Sequence, residues 1–242
     1  MDVAVQHHRV LRQTVFHSRL DRREWHAQRA SGPDATIALI HLTRNICMKV
    51  TREPVALPRA TQLLNHGPVT IITSAYGGRS NVMAASWAMP LDFNPPKVVV
   101  VVDSRTLTRQ LIEASGVFGL QLPSRGFAAQ TLAVGTSAGT ELDKFSAFDL
   151  ETFPAQQIDV PMLAGCITWM ECKVIPDDSQ RHDLIIGEVV AAYADSRVYS
   201  NNRWHFGDDP DLRTCHYVAG GTFFATGDAF EVNAVANGAV DE

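Results

Sequence analysis

The segment Asn81-Val82-Met83-Ala84-Ala85-Ser86-Trp87 sets a carboxamide, a hydroxyl and an indole among small apolar residues. Asn81 can donate and accept at once, as recognition of a polar ring edge requires. Trp87 offers a flat apolar surface, or serves as a core tryptophan on a strand. Ser104, Arg105, Thr106 and Thr108 cluster where a helix is expected to begin. Free N–H groups and the positive end of the dipole favour an anion there. Thr108 is either a contact to that anion or an ordinary helix cap. Arg105 is suited to bidentate contact with an anion. Lys144, after Asp143, is either a cation facing the ligand or a surface lysine in a turn. His182 opens a strand after the polar stretch Ser179–Asp183, and is either a ligand contact or a solvated histidine. His205 and His216 flank Asp208, Asp209 and Asp211, but the spacing fits no compact metal-ligand set, and the cluster reads as a polar loop.

These residues need a scaffold, and the pattern after Met48 supplies one. Val69–Thr73 reads as a strand, Gly77-Gly78 as a hairpin turn, and Asn81–Trp87 as the returning strand. Pro95-Pro96 breaks the chain before Val98–Val102, five valines that read as a strand buried on both faces. Leu107–Ser115 places Leu107, Leu111 and Ile112 on one helical face, with Gly116 as its stop. Val117–Leu122 is a further strand. Ser124 is expected to cap a short helix through Val134 that Gly135 ends. Ile167–Ile175, Leu184–Tyr193 and Tyr217–Phe224 read as later strands. Many strands, short turns and two short helices favour an antiparallel barrel over a doubly wound parallel sheet. No GxGxxG follows the first strand, and no GxxxxGK[ST] or GxSxG occurs.

The ordered set resembles the flavin-reductase-like family of FMN-binding split barrels. Asn81–Trp87 is similar to that family's cofactor strand. Thr108-Arg109-Gln110-Leu111-Ile112, Gly116-Val117-Phe118, Leu142-Asp143-Lys144-Phe145, Pro161, Met170–Val174, the run from His182 through Gly187-Glu188-Val189, and Gly220-Gly221 follow in the family's order over residues 52–227. The resemblance implies a mainly β, antiparallel split β-barrel with a few short helices, a homodimer, and FMN at or near the subunit interface. It implies cofactor contacts from Asn81, Met83, Ala84, Ala85, Ser86, Trp87, Arg105, Thr106, Thr108, Lys144, His182 and Tyr217. Ala84 stands where many relatives carry threonine, which removes one possible hydroxyl contact. His182 is the candidate catalytic residue, placed to orient a nicotinamide, since hydride transfer depends mostly on alignment. The implied activity is NAD(P)H-dependent reduction of flavin or ferric complexes through FMN, with NADH or NADPH as co-substrate. A partner monooxygenase or electron-transfer protein is an implied recipient. The alternatives are a non-enzymatic FMN electron carrier of flavoredoxin type and a split-barrel binding module without flavin.

Bulk properties fit this reading. The 242 residues are 45% hydrophobic with a formal charge of -5, which suits a globular core and argues against nucleic acid or an acidic membrane as partner. No apolar run approaches the roughly 20 residues that span a bilayer. The absence of a secretory-type apolar segment points to the cytoplasm. Cys47, Cys166, Cys172 and Cys215 form no CxxC pair and read as buried thiols. Residues 1–47 differ from the rest, with five of the nine histidines, and seven arginines against four acids. That segment is expected to be a disordered extension or the product of a start placed before Met48; a basic arm is the functional alternative. Ile37–Leu42 could pack on the domain, which is expected to span 48–242.

Overall fold

The structure, a computed structural model, describes residues 51–64, 67–176 and 183–232. Residues 1–47, His182 and Cys47 lie outside the described residues. The chain opens with β1 (Arg52–Pro54) and a 3-10 segment, Leu57–Leu64. β2 (Thr70–Tyr76) and β3 (Arg79–Ala85) form a hairpin. Its turn holds Gly77 at φ +57° and Gly78 at φ +77°, a pair of positive angles that glycine adopts without steric cost. β4 (Ala88–Phe93) and β5 (Pro96–Val101) form the next hairpin.

The helix Leu107–Ser115 follows the sequence pattern closely. The Thr106 side chain accepts from Arg109 N–H, and Gly116 in the left-handed region returns its N–H to Ile112 O. Thr106→Ala is expected to lower stability by about 1 kcal/mol through loss of this cap, read as a shift of the urea midpoint with unchanged slope. β6 (Val117–Pro123) leads into a 3-10 turn and the helix Ala128–Thr136. A single helical turn, Lys144–Ala147, is capped by Asp143, which accepts from Phe145 N–H. Then come β7 (Thr152–Pro154), β8 (Pro161–Leu163), β9 (Cys166–Val174), β10 (Leu184–Asp195), β11 (Tyr199–Ser200), β12 (Arg203–Trp204), β13 (Cys215–Ala219) and β14 (Thr222–Ala225).

The main sheet runs β3-β2-β6-β9-β10-β5-β4, with β1 added on β10, and its pairings are antiparallel. β3 and β4 stand at opposite ends of this order, yet only Ser86 and Trp87 separate them in the chain. The sheet must therefore curl until its two ends approach, which is the split barrel. Strand alternation then divides the apolar residues between two cores. Ile72, Val100, Phe118, Leu120 and Met170 fill one. Their neighbours Ile71 and Trp169 face the other way and pack with Val82, Val134, Met162 and Leu163. Trp169 is fully buried and donates from Nε1 to Leu163 O at 2.8 Å.

Four local expectations change. β5 is buried on one face only: Val98 and Val100 are inside, while Val99 and Val101 are half-buried, so the valine run reflects β-branched preference as much as burial. Ser124 makes no side-chain cap; its hydroxyl donates to Gly165 O, and the helix runs on through Gly135 to Thr136. Tyr217–Phe224 is not one strand but the β13–β14 hairpin, turning at Gly220 (φ +58°) and Gly221 (φ +84°). The helical turn at Lys144 adds to the two expected helices. Cys166, Cys172 and Cys215 are buried free thiols, and burial holds the Cys215 thiol up at about 11.

Candidate functional site

The barrel brings two segments far apart in sequence against each other beside β3. The Leu107–Ser115 helix starts next to Asn81, whose Nδ2 donates to Thr108 Oγ1 at 2.9 Å. Thr108 is fully buried, and this bond leaves its hydroxyl proton uncommitted. The helix cap is Thr106, not Thr108. Thr108 instead lines a cleft of about 230 Å³ together with Asn81, Met83, Ala84, Gly139 and Lys144. Arg105 and Thr106 stand at its rim. A Cβ built on Gly139 would overlap the Asn81 carboxamide, so this loop must pass over Asn81 as bare backbone.

Lys144 is the principal electrostatic feature. It is 4% exposed, and its Nζ donates to Val82 O at 3.0 Å and Val134 O at 2.7 Å. No carboxylate among the described residues pairs with it. Desolvation holds its pKa below the ordinary lysine value. A near-buried cation with no countercharge among the described residues, lining the same cleft as the start of a helix, has the electrostatics that suit an anion.

Ser86 and Tyr217 line a neighbouring chamber of about 120 Å³ with Leu132 and Phe223, and Ala84 and Gly135 border both spaces. Ala85 points into the barrel core. Trp87 is neither in the cleft nor in the core: it is 73% exposed. Arg105 has its side chain 88% exposed, and Asp103 engages it through two hydrogen bonds. That guanidinium holds the Asp103 carboxyl down at about 2. His182 falls outside the described residues, although Asp183 beside it accepts from Ser104 N–H at 2.9 Å, which brings the start of β10 next to the helix approach. His205 hydrogen-bonds Ser200 at 2.9 Å in the β11–β12 region. Sequence reasoning missed Gly135 and the loop Ser137–Thr140, which wall the cleft. Their small polar composition was the available signal, and it marks a turn before it marks a site.

A split antiparallel barrel with a cleft lined by Lys144 and the start of a helix beside β3 is the class that fold and geometry define. The chain belongs to the flavin reductase like domain family, whose match covers residues 64–210. It is 42% identical over 179 residues to the uncharacterized protein YddH of Escherichia coli (strain K12), spanning 72% of this chain and 94% of that one. Among solved structures it is similar to an FMN-binding domain of a flavin reductases-like enzyme from Shewanella baltica OS155. That match has 39% identity and TM-score 0.73, over 76% of this chain and 98% of the other. Flavoredoxin of Desulfovibrio vulgaris (Miyazaki F) shares the fold at 24% identity and TM-score 0.61, over 70% and 91% of the two chains. No helix among the described residues is long and apolar enough to cross a membrane.

Proposed function

We propose that the protein binds FMN in the cleft between β3, the Leu107–Ser115 helix and Lys144, and acts as an NAD(P)H-dependent flavin or ferric reductase. The observation that carries this reading is Lys144, a buried cation whose partners among the described residues are carbonyls and which lines one cleft with a helix N-terminus. The residues present fit the group. First-turn N–H groups and the Thr108 hydroxyl suit a phosphate. Asn81 keeps its Oδ1 and a second N–H for a polar ring edge. Lys144 supplies charge that favours an anionic reduced ring.

Bound FMN would supply the hydride- and electron-accepting chemistry. The protein's part is to seat and orient. The helix start and Thr108 hold the anionic end, while Asn81 and the β3 backbone set the ring's position. His182 is assigned to aligning the nicotinamide of NADH or NADPH. The Met48–Glu242 region forms the working domain, and reduced flavin or its electrons pass to a monooxygenase or electron-transfer partner.

The same reading makes the protein a homodimer. Met89, Leu91 and Phe93 alternate along the edge strand β4, Trp87 stands in the link just before it, and all four are exposed, Phe93 at 77%. A row of four large apolar side chains on a sheet edge suits a second copy of the chain.

The test is to titrate FMN by flavin fluorescence, then follow NADH and NADPH oxidation by the loaded protein. Saturable binding and turnover above the rate without protein are expected. Tight FMN with no nucleotide oxidation would return the electron-carrier reading, and no FMN binding would remove both.

A further inference from the structure

The exposed large apolar side chains among the described residues fall, apart from Tyr76, into two groups of four. The first is the β4 row with Trp87 before it. The second is Val218, Phe224, Phe230 and Val232, all in the last described stretch of the chain. In the β13–β14 hairpin Tyr217 pairs with Phe223, and both turn toward Ser86. Val218 and Phe224, each one residue further on, are exposed on the other side, as strand alternation requires.

Beyond the hairpin the chain leaves from a fixed root. Thr226 N–H donates to Thr214 O at 2.9 Å. Arg213 Nη1 donates to Thr226 O at 2.9 Å, and its Nη2 pairs with Asp228 at 2.7 Å. The arm past this anchor carries Phe230, 85% exposed, and Val232, 79% exposed. Residues two apart lie on one side of an extended chain, so the pair can meet a single apolar surface. Large apolar side chains grouped in this way mark a contact surface.

Position and size identify the partner. The hairpin reaches Ser86, and Trp87, where the β4 row begins, is the next residue. The second group thus starts beside the face assigned above to a second copy. Four large side chains cover on the order of 500 Å². A stable interface buries roughly 800 Å² on each partner. The β4 row alone falls short of that area, and the second group supplies the remainder.

We propose that residues 218–232, the last hairpin and its arm, form a clasp that packs on a second copy of the chain and completes the contact begun by β4. The clasp rests on the homodimer reading for the identity of its partner.

Sedimentation velocity of the full chain over a range of concentrations tests it. The Phe230→Asp/Val232→Asp and Leu91→Asp/Phe93→Asp proteins are run beside the parent. The arm variant dimerises about 100-fold more weakly than the parent, because a two-fold contact loses four apolar side chains. Phe230 and Val232 face solvent in the single chain, so the circular dichroism of that variant matches the parent's. Should it fail to fold, Val218→Asp reads the hairpin half of the clasp as a weakening of about tenfold. Parent-like dimer affinity in the arm variant, or in Val218→Asp where that variant replaces it, overturns the clasp and leaves the homodimer standing. A dimer that survives the β4 substitutions but not the arm substitutions supports the clasp and removes the share given to β4. A parent that stays monomeric at every concentration overturns the homodimer and the clasp together.

Discussion

Lys144→Met weakens FMN binding by roughly 10- to 150-fold, the equivalent of about 1.5–3 kcal/mol for a lost charge-assisted contact. The methionine keeps the length of the stem and removes the ammonium, so the loss reports charge more than shape. The two carbonyls that Nζ serves, Val82 O and Val134 O, lose their donor as well. Each unsatisfied group costs about 1–3 kcal/mol, which offsets the relief of removing a desolvated cation. Flavin affinity therefore changes far more than fold stability, and fluorescence titration beside urea unfolding separates the two.

The same residue gives a pH signature. Burial lowers the folded-state pKa of Lys144 below the ordinary lysine value of 10.5. Between that depressed value and 10.5 the unfolded chain binds more protons than the folded one, so the stability of the flavin-free protein rises with pH through this window. The contribution is complete above 10.5 and is lost as pH falls through the folded value. FMN affinity moves the opposite way, because the cation disappears as pH rises. Urea midpoints at increasing alkaline pH, compared between the parent and Lys144→Met, check the sign: the variant lacks this component.

Replacing both Leu91 and Phe93 with aspartate is expected to convert the proposed dimer to monomers. A two-fold interface presents each substitution twice, so four large apolar side chains leave the contact. At about 1.5–3 kcal/mol for each buried side chain, the loss is roughly 6–12 kcal/mol, beyond what an ordinary dimer holds in reserve. In the monomer these residues are already solvent-facing, Leu91 and Phe93 alike, so folding is expected to survive. Sedimentation velocity reads the outcome. A parent protein that already sediments as a monomer would remove the assignment of this strand face to a second copy.

Local signals were legible because they act within a few residues. Gly77-Gly78 marked its turn through positive φ, and the apolar spacing from Leu107 with Gly116 behind it marked its helix. Gly220-Gly221 carried the same signal as the first pair and went unread because aromatic β-formers surround it. The ordered motifs sufficed for the split barrel, since barrel closure follows once β3 and β4 are joined by two residues.

The sequence by itself determined where the principal strands and the Leu107–Ser115 helix form, and which family pattern they follow, because propensity, turn chemistry and alternation are short-range. Tertiary structure alone decided what the polar residues face. Asn81 and Thr108 meet across 27 positions. Lys144 is buried because β3 and the Ala128–Thr136 helix offer it carbonyls. Trp87 is exposed in the two-residue link between β3 and β4, and its type fitted the core equally well. Tyr217 and Ser86 line one chamber only because the last hairpin comes back beside the end of β3. Each of these depends on loop closure over many residues, and no local preference encodes it.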